Sequence, residues 1–381
     1  MKLQEIHSQS RAIGYLQRAV VSGRMAHAFL FVGQDGVGKR ATAEAFAKML
    51  LCHNRKEENT SDGLCFDSCG TCSSCRLFES GGHPDYQLIY KELIKYTKEG
   101  KNRMTPVDMP IDVIREFLVE KVANKPTESE RVVYVIDEAE KVNRASQNAM
   151  LKVLEEPPSY CVIILLCSKL EKMLPTTLSR CQLVRFGPVD ETFIVNKLKE
   201  TGIEKTEALY WARFSEGSVG TALAWADLDT GGKNPSPFEI KREITERIVS
   251  LNPANALSTA AWMGQMAKSI GTAWGKQQPD LSTTDLNRRA QKGLVRMVIS
   301  IYGDLVYLYS GKSSLVNQDQ LPLLKKFAGR IDPQMAANTI LQIQPIFRWI
   351  DSSVNEKLIF EQLLLKPALS DILPVSPVYG D

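Results

Sequence analysis

A glycine-rich loop between an apolar run and a helix-like run is the feature that most constrains how this chain can fold. Residues 33–39 read Gly-Gln-Asp-Gly-Val-Gly-Lys; an apolar run at 28–32 precedes them and a helical stretch at 41–51 follows. In this setting backbone N–H groups cradle phosphates and a lysine reaches the outer ones. The pattern predicts a parallel α/β domain with a phosphate site. The candidate nucleotide-binding residues in the loop are Gly33, Gly36, Gly38 and Lys39.

The residue after the loop lysine departs from the usual pattern. Ser or Thr is expected there, because its hydroxyl binds Mg²⁺, but this chain has Arg40. Thr42 is a poor substitute, since two residues along a helix turn a side chain by about 200°. The loop is therefore expected to hold ATP or ADP without hydrolysing it, or to keep only the fold of such a site.

Further apolar runs continue the alternation of strands and helices. Residues 131–136 have the pattern of a buried strand and lead into Asp137 and Glu138. In a P-loop ATPase the first of these carboxylates holds Mg²⁺ and the second polarises the attacking water. A helical run at 141–154 follows and ends at two prolines, 157–158, which stop a helix.

A third apolar run, 162–166, leads to the segment 174–181, which reads Leu-Pro-Thr-Thr-Leu-Ser-Arg-Cys. Asp-Glu-Ala-Glu-Lys stands at 137–141 and Leu-Glu-Glu-Pro-Pro at 154–158. This ordered series resembles the AAA+ clamp-loader family of bacterial DNA polymerase III. The resemblance is strong over 1–225 and weak beyond.

The resemblance implies an α/β AAA+ P-loop domain with an inserted zinc-binding module, a small helical lid domain and an all-α C-terminal collar domain. The expected boundaries are 1–188 for the P-loop domain with the zinc module at 52–78, 189–228 for the lid, 229–237 for a linker, 238–370 for the collar and 371–381 for a loose tail.

Three cysteines on two overlapping Cys-x-x-Cys turns, Cys69, Cys72 and Cys75, predict a structural zinc site. A tetrahedral shell needs a fourth ligand, and Cys52 and Cys65 are both available. The family pattern uses the cysteine that closes the P-loop helix and so favours Cys52. Cys65 stays open as the alternative, because it is nearer in sequence.

Two arginine positions of the family separate the possible roles. The family uses the arginine of its Ser-Arg-Cys motif in trans, so the resemblance implies that Arg180 is an arginine finger for a neighbouring subunit. A lid arginine that senses phosphate is missing, because Gly220 follows 217–219. Glu138 is then either a water-activating carboxylate or a vestige of one.

With these departures, the resemblance implies a stator that is not catalytic alone but is a component of the DNA polymerase III holoenzyme, a DNA-directed DNA polymerase and nucleotidyltransferase. It would help to load the sliding clamp on primed DNA during DNA replication. The implied partners are the gamma/tau and delta subunits, the clamp and primed DNA. One alternative is an active gamma/tau-type ATPase, which Arg40 and Gly220 disfavour. Another is a zinc-dependent DNA-binding module, which would need basic and aromatic residues around the cysteine cluster, where only Arg76 and Phe78 are nearby.

Composition agrees with this interpretation. Apolar residues make up 44% and charged residues 24%, as in ordinary globular proteins. No apolar run approaches the ~20 residues of a membrane span, and a secretory signal is absent. Most of the eight cysteines lie in the cluster or singly in apolar runs, which suits a reducing cytoplasm. The net charge of +3 is too small to indicate nucleic-acid binding.

The polar segment 91–103 is predicted to be a solvated loop rather than a DNA contact.

Overall fold

The computed structural model describes residues 1–60, 63–98, 100, 106–232, 234–312 and 314–370. They form two compact units. The first comprises Met1–Phe193 with Gly217–Thr221, and the second comprises Ile194–Glu216 with the described residues from Ala222 onward. The predicted tail at 371–381 lies outside the described residues.

A five-stranded parallel sheet is the centre of the first unit. Seven strands occur in the described part of this unit: β1 (Ala28–Val32), β2 (Lys56–Thr60), β3 (Gly63–Asp67), β4 (Tyr86–Ile89), β5 (Val132–Ile136), β6 (Cys161–Cys167) and β7 (Gln182–Arg185). The sheet has the order β4-β5-β6-β1-β7 with parallel neighbours, and β2 and β3 form a separate antiparallel hairpin. Every residue of β5 and β6 is buried, which explains their unbroken apolar sequences.

The first unit has one helix before its first strand, and the helices between its parallel strands provide the crossovers that parallel pairing requires. In chain order these helices are α1 (Ser10–Val21), α2 (Lys39–Leu51), α3 (Ser73–Glu79), α4 (Ile111–Ile114) continued by a π-helical turn (Arg115–Val119), α5 (Arg144–Glu155) and α6 (Pro175–Leu178). Short 3₁₀ turns lie at Leu3–Glu5, Lys91–Tyr96, Ala139–Lys141 and Leu170–Lys172. Because the strands are parallel, their carboxyl ends share one edge of the sheet. The glycine-rich loop after β1 and Asp137 after β5 therefore lie at the same edge.

The polar segment 91–103 is not the solvated loop that its composition predicts. Lys91–Tyr96 forms a 3₁₀ helix in which Lys91 and Glu92 are buried. Hydrophobic neighbours cover this turn, since Leu93 and Ile94 belong to the core of the first unit. The prediction is wrong for this part, and residues 99 and 101–105 lie outside the described residues.

The second unit consists of helices joined by loops, with no strand among its described residues. The helices from position 191 onward are α7 (Glu191–Glu200), α8 (Lys205–Phe214), α9 (Val219–Ala226), α10 (Pro237–Val249), α11 (Pro253–Gln277), α12 (Thr283–Tyr309), α13 (Leu321–Ala328), α14 (Pro333–Ile343), α15 (Ile346–Asp351) and α16 (Glu356–Ser370). Two of these helices, α7 and α9, each contain a boundary between the units. Tryptophan rings form part of the core, with centroid distances of 5.8 Å for Trp211–Trp225 and 4.8 Å for Trp225–Trp274.

One buried ion pair stands out in the second unit. Lys241 on α10 is 1% exposed and pairs with Asp319, which is 8% exposed. The ammonium also lies over the ring of Tyr210, 4.4 Å from its centroid. Burial lowers the pKa of Lys241 to about 8, against the opposing effect of Asp319. The pair is therefore a buried charge whose compensation depends on both partners.

Candidate functional site

The glycine-rich loop connects β1 to α2 and contains two glycines with left-handed backbone. Gly36 has a φ of 76°, and Gly38, the residue before α2, has a φ of 103°. L-residues with side chains rarely adopt these angles, so the loop conformation requires glycine there. The buried side chain of Gln9 supports the loop, because its Nε2 donates to the carbonyl oxygens of Val37 at 3.1 Å and Gly187 at 2.8 Å.

The loop lysine contacts its own loop. Lys39 is 7% exposed, and its Nζ donates to the carbonyl oxygens of Gly33 at 2.5 Å and Gln34 at 2.9 Å. The carboxylate of Asp35 lies 3.4 Å from the same nitrogen. An ammonium group has three N–H donors, and the loop provides three acceptors. A phosphate would therefore have to displace at least one of these contacts to bind Lys39.

Arg40 lies between two carboxylates at the start of α2. Its Nε donates to Glu44 Oε1 at 2.9 Å, and its Nη1 lies 3.5 Å from Asp137 Oδ2. Burial raises the pKa of Asp137, and the Arg40 guanidinium opposes that rise. The Thr42 hydroxyl donates to the carbonyl of Gly38 at 2.8 Å. These residues do not fit a Mg²⁺ site, because a guanidinium contacts the acidic ligand and the nearby hydroxyl bonds within the helix.

The second carboxylate after β5 is paired with two lysines. Glu138 has a φ of 48°, an unusual value for a residue with a side chain. Its Oε1 lies 2.7 Å from Lys141 Nζ, and its Oε2 lies 3.4 Å from the buried Lys91 Nζ. Each carboxylate oxygen therefore contacts an ammonium group of the same unit.

Gly220 makes close backbone contact with the glycine-rich loop within the first unit. Its N–H donates to the carbonyl of Gly36 at 3.0 Å, and the hydroxyl of Ser218 donates to the carbonyl of Asp35 at 2.6 Å. A Cβ atom at position 220 would lie 2.9 Å from the Cα of Gly36, closer than real Cβ contacts. A side chain at this position would require the two segments to separate.

Arg180 follows the short helix α6. Its Nη1 donates to the carbonyl of Thr176 at 2.9 Å and to the hydroxyl of Ser179 at 3.3 Å. Its Nη2 lies 2.7 Å from Oε1 of Glu155, the last residue of α5. The side chain of Arg180 is 34% exposed. The guanidinium is thus partly accessible and is oriented by three acceptors from its own unit.

Four cysteines form a compact cluster at the end of α2 and the start of α3. The sulfur atoms of Cys52, Cys69, Cys72 and Cys75 all lie within 4.8 Å of one another. The closest pairs are Cys52–Cys69 at 3.5 Å, Cys52–Cys72 at 3.8 Å and Cys69–Cys75 at 3.9 Å. Tetrahedral zinc with Zn–S bonds of ~2.3 Å requires S···S separations of about 3.8 Å. The donor set and spacing fit zinc, whereas Cys65 lies on β3 opposite Glu58, outside the cluster.

Backbone N–H groups are directed at the cluster sulfurs. The N–H groups of Thr71 and Cys72 donate to Cys69 Sγ at 3.4 and 3.3 Å. Burial acts to raise the pKa of Cys69, but these donors outweigh it and lower the pKa to about 5. Burial raises the pKa of Cys75, which the structure buries completely. Thiolate-stabilising donors of this kind are typical of the surroundings of structural zinc.

A buried polar group behind the cluster was not foreseen from the sequence. The hydroxyl of Ser74, which lies between two cluster cysteines, donates to the carbonyl of Leu51 at 2.7 Å and lies 3.0 Å from Nε2 of His83. The N–H of Asp85 donates to Nδ1 of the same imidazole at 3.1 Å. These bonds attach the turn that carries the cysteines to α2 and to the start of β4. A single serine at the start of a helix and a single histidine in a loop have no local sequence pattern that would reveal such a role.

Comparison with known proteins gives consistent matches along most of the chain. The model of the family described as "DNA polymerase III, delta subunit" matches residues 8–190, and that described as "DNA polymerase III, delta subunit, C terminal" matches residues 276–367. The chain is 24% identical over 358 residues to DNA polymerase III subunit delta' of Bacillus subtilis (strain 168), covering 94% of this chain and 95% of the relative. The corresponding Escherichia coli (strain K12) subunit is 25% identical, with 91% and 90% covered. The chain belongs to the DNA polymerase III delta' family.

Relatives of another kind match a smaller part of this delta' family member. DNA polymerase III subunit tau/gamma of Haemophilus influenzae is 31% identical over 229 residues, which is 58% of this chain but 30% of the relative. The chain spans nearly the whole length of the delta' relatives and about a third of this tau/gamma relative. The predicted fold class is confirmed, with a parallel α/β sheet, a four-cysteine cluster and a helical C-terminal region. No helix among the described residues is both long and apolar enough to cross a bilayer.

Proposed function

We propose that this chain is the delta' subunit of a DNA polymerase III clamp loader and acts as a stator. The observation that carries the proposal is the match to delta' subunits along almost the full length of both chains. A clamp-loader component takes part in DNA replication by helping to place the sliding clamp on primed DNA. As a stator, this subunit would complete the assembly without hydrolysing ATP itself.

The geometry of the subunit's own nucleotide site supports the inactive role. Lys39 bonds to its own loop, Arg40 contacts the carboxylate expected to bind Mg²⁺, and Glu138 is paired with two lysines. Phosphoryl transfer depends on placing a metal ion and a water-activating group against the phosphate. Phosphate contact by Lys39, Mg²⁺ binding by Asp137 and water activation by Glu138 are each compromised by an interaction within this chain. We infer that Glu138 has a structural role and that ATP or ADP, if bound, is not hydrolysed.

The proposed contribution to catalysis is made in trans by Arg180. A guanidinium is planar and permanently charged, so it can stabilise the charge that develops on a transferring phosphoryl group. The Arg180 side chain is partly exposed, and Glu155, Thr176 and Ser179 orient its guanidinium. We propose that Arg180 reaches the ATP site of an adjacent subunit and accelerates hydrolysis there.

The four-cysteine cluster would hold one zinc ion in a structural role. Four thiolates complete a tetrahedral shell and leave no position for a reacting water. Cys52, Cys69, Cys72 and Cys75 would be the ligands, and the ion would join the end of α2 to the turn before α3. Its contribution is to the folding of this part of the first unit rather than to chemistry.

We propose that assembly follows the family, with gamma/tau and delta subunits as partners in a hetero-oligomeric ring and with the clamp and primed DNA as its substrates. In this proposal the domains at 1–188 and 189–228 form the ATPase-like part of the subunit, and the domain at 238–370 forms the collar. Mixing the full chain with gamma/tau and delta subunits should give a stable complex on size-exclusion chromatography. Failure to enter such a complex would contradict the proposal.

The second candidate function is an active gamma/tau-type ATPase, which the 31% identity to tau/gamma favours over 229 residues. An ATPase assay on the isolated full chain separates the two, with a gamma/tau subunit assayed in parallel as the positive control. The stator proposal predicts turnover at background with and without Mg²⁺. Magnesium-dependent hydrolysis by the unmodified chain would favour the active ATPase and reject the stator.

A further inference from the structure

Glu155 is placed where a carboxylate is electrostatically unfavourable for its own helix. It is the last residue of α5, and the next residues are Glu156 and two prolines that end the helix. The C-terminus of a helix carries partial negative charge, which disfavours an acidic side chain and favours a basic one. An explanation for a carboxylate here must therefore come from outside the helix.

The group outside the helix is the guanidinium of Arg180. Oε1 of Glu155 lies 2.7 Å from Nη2, while Nη1 donates to the carbonyl of Thr176 and the hydroxyl of Ser179. The two terminal nitrogens are therefore held from different elements, one by α5 and the other by α6 and the residue after it. This arrangement restricts both the position and the plane of the guanidinium.

Stability alone does not account for the pair. The side chains of Glu155 and Arg180 are 48% and 34% exposed, and ion pairs at such sites contribute little to folding because water screens them. Orientation is a different matter, since an unpaired arginine samples many rotamers and loses that freedom when it contacts a phosphate. A group that orders the arginine beforehand removes part of this cost from the reaction.

We propose that Glu155 is a positioning residue for Arg180, holding the guanidinium in the orientation in which it enters the neighbouring subunit's ATP site. This inference rests on the proposed function of Arg180 in trans. In this proposed role Glu155 does not contact the nucleotide. Its carboxylate binds one terminal nitrogen and leaves the exposed part of the guanidinium to meet the phosphoryl group.

The test uses complexes reconstituted from full-length subunits, with DNA-stimulated ATPase measured over a range of ATP concentrations. The variants of this chain are Glu155→Ala, Glu155→Gln, Arg180→Ala and the double variant Glu155→Ala/Arg180→Ala. Glu156→Ala is the matched control, because it removes a neighbouring carboxylate that makes no ion pair in the part of the chain that the structure describes. Thermal unfolding of each free subunit is measured alongside.

We expect Glu155→Ala to lower kcat and leave KM for ATP unchanged, because the finger acts in the transition state. Misplacing a catalytic group by ~1 Å can cost about 10²-fold, so the dependent site should lose most of its share of total turnover. Glu155→Gln should recover most of the rate, since its amide oxygen can still accept from the guanidinium. The double variant should be no slower than Arg180→Ala, because both changes remove one function.

The outcomes separate this inference from the proposed function. If Arg180→Ala slows the complex and Glu155→Ala does not, the positioning role is overturned and the trans finger stands. If Glu155→Ala accelerates hydrolysis, the carboxylate restrains the finger and the positioning role is likewise overturned. If neither variant changes the rate, both the finger and its positioning residue are rejected. Equal slowing by Glu156→Ala or a lowered unfolding temperature for Glu155→Ala would assign the effect to general disturbance and overturn the inference.

Discussion

Replacing Gly220 by alanine tests whether the close backbone approach to the glycine-rich loop is a requirement of the fold. The new Cβ would lie 2.9 Å from the Cα of Gly36, and a backbone atom cannot move aside as a side-chain tip can. The hydrogen bond from the Gly220 N–H to the Gly36 carbonyl would have to lengthen as the segments separate. We therefore expect Gly220→Ala to destabilise the first unit.

The expected magnitude is the balance of two opposing effects. Forcing extra atoms into a packed contact costs about 1–3 kcal/mol. Gly220 lies in α9, where alanine is favoured over glycine by about 0.5–1 kcal/mol. The net loss should then be roughly 1 kcal/mol in the free energy of unfolding, within a range of about 0–2.5 kcal/mol. Gly220→Arg should cost at least as much and should not create Mg²⁺-dependent hydrolysis, because Arg40 still contacts Asp137.

The measurement must report on the first unit alone. All five tryptophans lie in the second unit, so their fluorescence does not report directly on the glycine-rich loop. Hydrogen exchange followed by mass spectrometry on peptides that cover 33–39 and 217–221 should show faster exchange in Gly220→Ala. Gly14→Ala is the matched control in α1, because the nearest atom to its new Cβ is the flexible tip of Arg18 at 3.3 Å. Unchanged exchange and stability in Gly220→Ala would refute the steric argument, as would an equal loss in Gly14→Ala.

Three further predictions use other parts of the chain. Metal analysis of purified variants should show that Cys52→Ser lowers the zinc content below one per chain while Cys65→Ser retains it; the reverse result would exchange the fourth ligand. Arg40→Thr should leave ATPase activity of the isolated chain at background, because the other departures from an active site remain; Mg²⁺-dependent turnover would contradict this. Lys241→Met should destabilise the second unit by about 3–5 kcal/mol, since it leaves Asp319 buried without its partner. Denaturant titrations followed by tryptophan fluorescence measure this loss, and adding Asp319→Leu should recover part of it. An equal or greater loss in the double variant would show that the pair is not coupled.

Local sequence patterns were sufficient to predict the main features of the fold. The glycine-rich loop, the buried strands and the three clustered cysteines each depend on residues that are close together in the chain. Because the spacing of these residues is characteristic of each feature, the parallel sheet and the cysteine cluster could be predicted from the sequence alone. Cys52 could not be chosen over Cys65 on spacing alone, because either could supply the fourth thiolate.

Contacts between distant residues account for what the sequence did not reveal. Lys91 is buried beside Glu138, 47 positions later, and nothing in the polar composition around Lys91 indicates that partner. The approach of Gly220 to Gly36 and the pairing of Arg180 with Glu155 likewise depend on how the elements pack. The sequence identified Gly220 and Arg180 as positions of interest, but only the packing shows which groups they contact.

We propose above that this subunit is inactive in its own nucleotide site and supplies Arg180 to a neighbouring subunit. The most direct measurement compares DNA-stimulated ATPase and clamp loading by complexes reconstituted with the unmodified chain, Arg180→Ala or Arg180→Lys. An arginine finger is worth about 10³–10⁵ in the rate of the site it serves, so Arg180→Ala should abolish the contribution of one site to total turnover and reduce clamp loading more severely. Arg180→Lys should rescue poorly, since an ammonium does not reproduce the planar fork. Assembly and zinc content should be unchanged, and normal rates in both assays with Arg180→Ala would contradict the claim.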